Sequence, residues 1–153
     1  MNLIVYYSRT NTTRKVSEII ADKKGGELVE ITDKKNRSGA IGFAVGGFDS
    51  IRGNKTEISY EKTDLSDYDT VYIGTPVWAS RPTPAILQFI DENDFSDVNV
   101  VTFATMKGND NDNTVNIMND IIESKGGLIK GSFSLSVQGK DLEELVNNAL
   151  NNE

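Results

Sequence analysis

The sequence predicts an α/β fold: a single doubly wound, five-stranded parallel sheet in the order 2-1-3-4-5 with helices on both faces. Two observations carry this. Apolar, β-forming runs alternate along the chain with segments whose apolar residues keep helical spacing, giving the order β-α-β-insert-β-α-β-α-β-α. Three of the runs are apolar throughout, as strands covered on both faces are, whereas two mix apolar with polar residues, as edge strands do. In this order the chain reverses direction between the first and third strands, which opens a crevice beyond their carboxyl ends.

The elements follow in turn. Leu3 to Tyr7 is an unbroken apolar run and reads as a central strand. Val16, Ile19, Ile20 and Lys23 then fall at helical spacing, and Gly25-Gly26 supplies a stop. Glu27 to Thr32 sets Leu28, Val29 and Ile31 among charged residues, so the second strand lies at an edge. Asp69 to Gly74 and Val98 to Ala104 are the two further central strands. Between them Thr83-Pro84 reads as an N-cap followed by proline at the first helical position, with Ile86, Phe89 and Ile90 on one face.

Thr114 to Glu123 is the next helix, burying Val115, Met118, Ile121 and Ile122 and closed by Gly126-Gly127. In the fifth strand Ile129, Phe133, Leu135 and Val137 alternate with Lys130, Ser132, Ser134 and Ser136, which places it at the other edge. A last helix carries Leu142, Leu145, Val146 and Ala149. Residues 33 to 60 are too long for an ordinary connection. Ile41, Ala44, Phe48 and Ile51 keep helical spacing there, but Gly39, Gly42, Gly46 and Gly47 weaken that helix, and Glu57 to Tyr60 suits a short extended return. The expectation is a loose helix beside the crevice, either packed on the body as a surface insert or serving as a lid.

Composition narrows the chemistry. At 153 residues the chain fits one domain, 1–153, able to bury about two-thirds of its unfolded surface. Sixteen Lys and Arg against 23 Asp and Glu give a formal charge of −7, which argues against a sequence-independent grip on nucleic acid and points to basic partners. The absence of Cys and His closes thiol redox pairs, imidazole ligands and Ser-His triads. No charged leader precedes a long apolar stretch and no run approaches the length of a membrane span, so a cytoplasmic protein without membrane insertion is expected.

Two loops face the crevice. The first, Ser8-Arg9-Thr10-Asn11-Thr12-Thr13, leaves a buried strand through six residues of which four carry hydroxyls and none is glycine. At a helix start, where backbone N–H groups point outward, such a run suits a monophosphate; the plainer reading is that Thr12 or Thr13 is an ordinary N-cap. It matches neither the Walker phosphate loop nor the dinucleotide turn, both of which need glycines absent here. The second loop, in "YIGTPVWASRPTP", carries the only tryptophan, Trp78, in a turn rather than in a core element. An indole there suits a flat aromatic ligand, or folds back as a hydrophobic plug. A third loop, Thr105-Met106-Lys107-Gly108, ends the fourth strand at the same rim.

With these three segments in view, the chain resembles the flavodoxins, FMN-binding electron carriers of the doubly wound class. "YYSRTNTTRKVSEI" resembles the family's phosphate signature, "YDTVYIGTPVWASRPTPAILQFI" its second flavin loop and "VVTFATMKGND" its third. The resemblance runs from the first strand to the last helix, and the absence of an insertion in the fifth strand makes it similar to the short-chain type. It implies that Ser8, Thr10, Asn11, Thr12 and Thr13 hold the FMN phosphate, with Arg9 as a further candidate that either adds charge there or points into water. It further implies that Thr75, Pro76, Val77, Trp78 and Ala79 line the isoalloxazine, with Thr105, Met106, Lys107 and Gly108 closing the other side.

Two departures from the family pattern stand out. Asn11 occupies a position where the family usually has Gly, and Asn tolerates left-handed geometry. Ser80 stands where a flexible Gly usually follows the Pro-Val-Trp-Ala segment, which weakens the expectation that the half-reduced flavin is stabilised. The implied function is a monomeric, low-potential carrier docking on basic-surfaced redox proteins, with Asp110 and Asp112 as candidate acids near the ring or as solvated loop residues. The alternative is an FMN-dependent NAD(P)H or quinone reductase on the same architecture.

Overall fold

The computed structural model describes residues 1–33, 57–108 and 112–151. Its elements are β1 (Leu3–Tyr6), α1 (Thr12–Lys24), β2 (Glu27–Glu30), β3 (Thr32–Asp33), β4 (Ile58–Ser59), β5 (Val71–Pro76), α2 (Pro84–Glu92), β6 (Asn99–Met106), α3 (Asn113–Ser124), β7 (Leu128–Ser136) and α4 (Leu142–Asn151), with a 3₁₀ turn at Leu65–Asp67. Five strands form one parallel sheet in the order β2-β1-β5-β6-β7. Counting only its members along the chain, that is the expected 2-1-3-4-5.

Period-two alternation divides the central strands between two cores, one on each face of the sheet. Leu3, Val5, Val71, Ile73, Val100 and Ala104 point to the side of α2 and α3, where they meet Ile86, Phe89, Ile90, Val115, Met118 and Ile122. Ile4, Tyr72, Val101 and Phe103 point to the side of α1 and α4, against Val16, Ile20, Val146 and Leu150. Each fully buried Ile, Leu, Val or Phe contributes about 1.5–3 kcal/mol of burial, so the contiguous runs at β1, β5 and β6 hold the sheet centre on both sides. Gly74 is required there: a Cβ on it would stand 2.1 Å from the Phe103 ring, which is itself fully buried and stacked on Phe133.

Several boundaries differ from the sequence reading. The third sheet strand runs to Pro76 and the fourth to Met106, because parallel pairing continues through Thr75↔Ala104 and Pro76↔Thr105. Thr75, Pro76, Thr105 and Met106 are thus strand ends rather than loop residues. The second strand stops at Glu30, and Thr32–Asp33 turns away to pair antiparallel with Ile58–Ser59. That pairing is the extended return expected at Glu57 to Tyr60. The helix expected between residues 41 and 51 lies outside the described residues. The α2 start is as expected: Thr83 accepts from the Ile86 N–H through its hydroxyl and Pro84 opens the helix.

Candidate functional site

Three chain segments converge beyond the carboxyl ends of β1, β5 and β6, and they enclose a cavity of about 510 Å³. In the first, the chain leaves β1 through Tyr7 and Ser8 and enters α1 at Thr12. Asn11 caps the helix in the left-handed region, φ 68°, and makes no side-chain capping bond. Ser8 takes the capping role from further back, its Oγ accepting from the Arg14 N–H at 3.3 Å. The start of α1, where the first backbone N–H groups have no partner within the helix, lies at the cavity, with Arg9, Thr10, Thr12 and Thr13 forming one wall. Thr12 and Thr13 lie inside the helix, so neither is its N-cap.

Thr13 has a second role. It is buried, and its Oγ1 lies 2.9 Å from Oγ1 of Thr105, also buried, tying the helix start to the end of β6. Arg14 faces elsewhere, paired with Glu30 on β2. Of the two arginines near this wall, Arg9 is the one on the cavity.

The second segment follows β5. Val77 donates its N–H to the Thr105 carbonyl at 3.1 Å, and Trp78 and Arg81 then exchange both backbone hydrogen bonds at 3.0 Å. Between them Ala79 and Ser80 have φ of 52° and 60°. This is a two-residue turn with both central residues left-handed, a conformation that favours Asn-Gly and costs other residues about 1–2 kcal/mol each. The Ser80 carbonyl accepts from Asn113 Nδ2 at 2.6 Å, across from the start of α3. Trp78 is only 4% exposed and meets Tyr7 edge-to-face, with centroids 5.7 Å apart at 88°. The indole is at once a core residue and part of the cavity wall, alongside Pro76, Val77 and Ser80.

The third segment closes the opposite side with Thr105, Met106, Lys107 and Gly108, joined by Val137. It is held by the end of β7, where Val137 donates its N–H to the Met106 carbonyl at 2.8 Å and the Ser136 hydroxyl donates to the Gly108 carbonyl. Among the described lining residues two are cationic, Arg9 and Lys107, and none is acidic. Asp112 lies not on it but on a separate groove along β7 and α4. Asp110 lies outside the described residues. No group of His, Cys, Asp or Glu among the described residues is placed to hold a metal ion.

Four expected site residues are not on the wall. Ser8 and Asn11 shape the loop behind it. Thr75 is fully buried, its Oγ1 donating to the Pro76 carbonyl at 2.8 Å and accepting from the Thr83 N–H at 3.2 Å, so it braces the β5-to-α2 connection. Ala79 sits exposed at the turn tip. Conversely, Ser80 and Val137 line the cavity without having been among the expected site residues. Val137 could have been anticipated from strand order, since the end of the fifth sheet strand neighbours that of the fourth; Asn113 carried no local signal, because only the packing of α3 brings it to the turn.

Comparison with known proteins agrees with this fold. Among solved structures, a flavoprotein in complex with FMN from Lactobacillus acidophilus superposes with a TM-score of 0.74 at 29% identity, covering 87% of this chain and 91% of that one. A protein from Bacteroides uniformis assigned as a flavoprotein superposes at 0.79 with 25% identity, covering 95% of both chains. The two-electron reduced flavodoxin of Megasphaera elsdenii shares the fold, with a TM-score of 0.61, 16% identity and 99% coverage of both chains. None of the curated proteins matches the chain in sequence. The sequence model described as flavodoxin matches residues 1–149, nearly the whole length, and on that match and this fold the chain belongs to the flavodoxin family.

Proposed function

We propose that the cavity binds FMN and that the protein is a low-potential electron carrier docking on basic-surfaced redox proteins. The observation that supports this most is the pairing, around one cavity, of a hydroxyl- and amide-rich helix start with an aromatic and apolar wall. About 510 Å³ lies within the usual range for a small-molecule site of about 300–1,000 Å³. Thr10, Thr12 and the first N–H groups of α1 would hold the phosphate, with Arg9 adding charge. Pro76, Val77, Trp78 and Met106 would flank the ring. The Thr13 hydroxyl is engaged by Thr105, so Thr13 would contribute its N–H rather than its side chain.

Bound FMN supplies the redox chemistry; the protein supplies position, electrostatics and exclusion of water. The net charge of −7 supports docking on basic partners, an attraction that speeds association and fades with salt.

One observation favours a second reading, an FMN-dependent NAD(P)H or quinone reductase: Arg9 and Lys107 both line the cavity, which suits a phosphate-bearing second substrate as well as the FMN phosphate. Anaerobic titration with dithionite, alongside assay of NAD(P)H oxidation by a quinone, separates the two. A carrier takes up electrons one at a time and shows negligible turnover without an added reductase. Sustained turnover by the purified protein alone would contradict the carrier reading.

A further inference from the structure

We infer that Asn113 is a positioning residue whose side chain clamps the left-handed Ala79-Ser80 turn and so fixes the Trp78 end of the cavity wall; the inference builds on the FMN reading above. The turn's conformation is one that its residues do not favour. Two-residue turns with both centres at positive φ are the territory of Asn-Gly, and here Ala79 and Ser80 hold 52° and 60°. Burial does not impose that conformation, since Ala79, Ser80 and Arg81 are all exposed. The reciprocal hydrogen bonds of Trp78 and Arg81 close the turn, but turns of either hand can be closed that way. The hand determines where the Ser80 carbonyl points, and there it meets Asn113 Nδ2 at 2.6 Å.

The consequence reaches the cavity because Ser80, one of the two strained residues, and Trp78, which precedes them, both line it. Release of the Ser80 carbonyl lets the turn relax toward negative φ, and the indole, anchored through both its backbone groups to that turn, shifts off Tyr7. A glycine in the turn would hold the same shape without help. In this chain the donor comes instead from the first residue of α3, far away in sequence.

The test uses the full chain and four variants: Asn113→Asp, Asn113→Ala, the turn pair Ala79→Asn/Ser80→Gly, and that pair combined with Asn113→Asp. Asn113→Asp removes the Nδ2 donor while keeping side-chain volume and placing an acid where a helix start favours one, so folding is preserved. Two readouts are followed, FMN affinity of the apoprotein and the emission of Trp78, the sole tryptophan. Loss of one hydrogen bond should weaken FMN binding about 3- to 10-fold in both single variants and shift Trp78 emission to the red. The turn pair alone should bind within about twofold of wild type, and in combination it should restore both readouts, because Asn-Gly adopts this turn unaided.

Wild-type affinity and emission in Asn113→Asp would overturn the inference. So would a defect that the turn pair fails to rescue, which would mark Asn113 as a residue of the α3 start alone. If wild-type apoprotein takes up no FMN, the FMN reading fails, while the emission of Trp78 still decides the clamp: a red shift reversed by the turn pair supports it, and an unchanged spectrum overturns it.

Discussion

The hydroxyls of Thr13 and Thr105 lie 2.9 Å apart in the protein interior, joining the first turn of α1 to the carboxyl end of β6. This contact couples the two sides of the cavity. The bond also explains why two residues that look like ligand contacts in the sequence are largely hidden: each satisfies the other. Replacing one with valine keeps its shape and strands a buried hydroxyl, at a cost of about 1–3 kcal/mol. Replacing both removes the unsatisfied group, so Thr13→Val/Thr105→Val should lose less than the sum of the single variants. Urea denaturation of the apoproteins measures this, and strictly additive losses would show that the hydroxyls are not coupled.

Gly74 and Phe103 occupy space that cannot be shared. A methyl group at Gly74 would fall 2.1 Å from a fully buried ring already stacked on Phe133. Gly74→Ala should therefore destabilise by about 1–3 kcal/mol, the usual range for overpacking. Phe103→Leu in the same chain should recover part of the loss. Thermal melts of the three variants check it; an undiminished melting temperature for Gly74→Ala would contradict the packing described here.

Tyr60 donates to Glu92 Oε1 at 2.7 Å and accepts from Asn93 Nδ2 at 2.9 Å. Desolvation, followed by the bond to Glu92, pushes its hydroxyl up to about 12 from an ordinary value of 10. The folded state thus keeps a proton that the unfolded chain loses first. Its contribution to stability is full below pH 10 and is lost as pH climbs toward 12. The stability difference between wild type and Tyr60→Phe should shrink across that window, and absorbance at 295 nm should show a late-titrating tyrosine that the variant lacks. A tyrosine ensemble titrating wholly near 10 would refute this.

Arg9 stands on the cavity wall as part of the hydroxyl loop, and Arg14 is paired with Glu30 away from the cavity. Arg9→Gln should weaken FMN binding by about 2- to 5-fold, the scale of a partly solvated charge contact, and leave riboflavin binding unchanged. Arg14→Gln should affect the two ligands equally. Isothermal titration with both ligands at low and high salt distinguishes them, with salt reducing FMN affinity more than riboflavin affinity. Equal losses for both ligands in Arg9→Gln would place the phosphate elsewhere.

The sheet was legible because its three central strands are apolar on both faces and its edges are not, and because Thr83-Pro84 and the paired glycines punctuate the helices. The site was legible only as far as local sequence carries it. The concentration of hydroxyls between Ser8 and Thr13 marked the loop, yet not which of them face outward, since that depends on the 92-residue link from Thr13 to Thr105. Thr75 read as a loop residue because strand pairing, which a single strand does not reveal, carries β5 two residues past Gly74. The positive φ at Ala79 and Ser80 ran against their intrinsic preference and is held by Asn113, a tertiary contact with no trace in the turn itself.

The most direct measurement is a crystal structure of the protein grown with FMN. Its phosphate should lie within hydrogen-bonding distance of the Thr10–Thr13 segment, with the ring between the Trp78 wall and the Met106–Gly108 segment. Flavin density outside this cavity, or a cavity closed by the Trp78 indole with FMN present, would contradict the site.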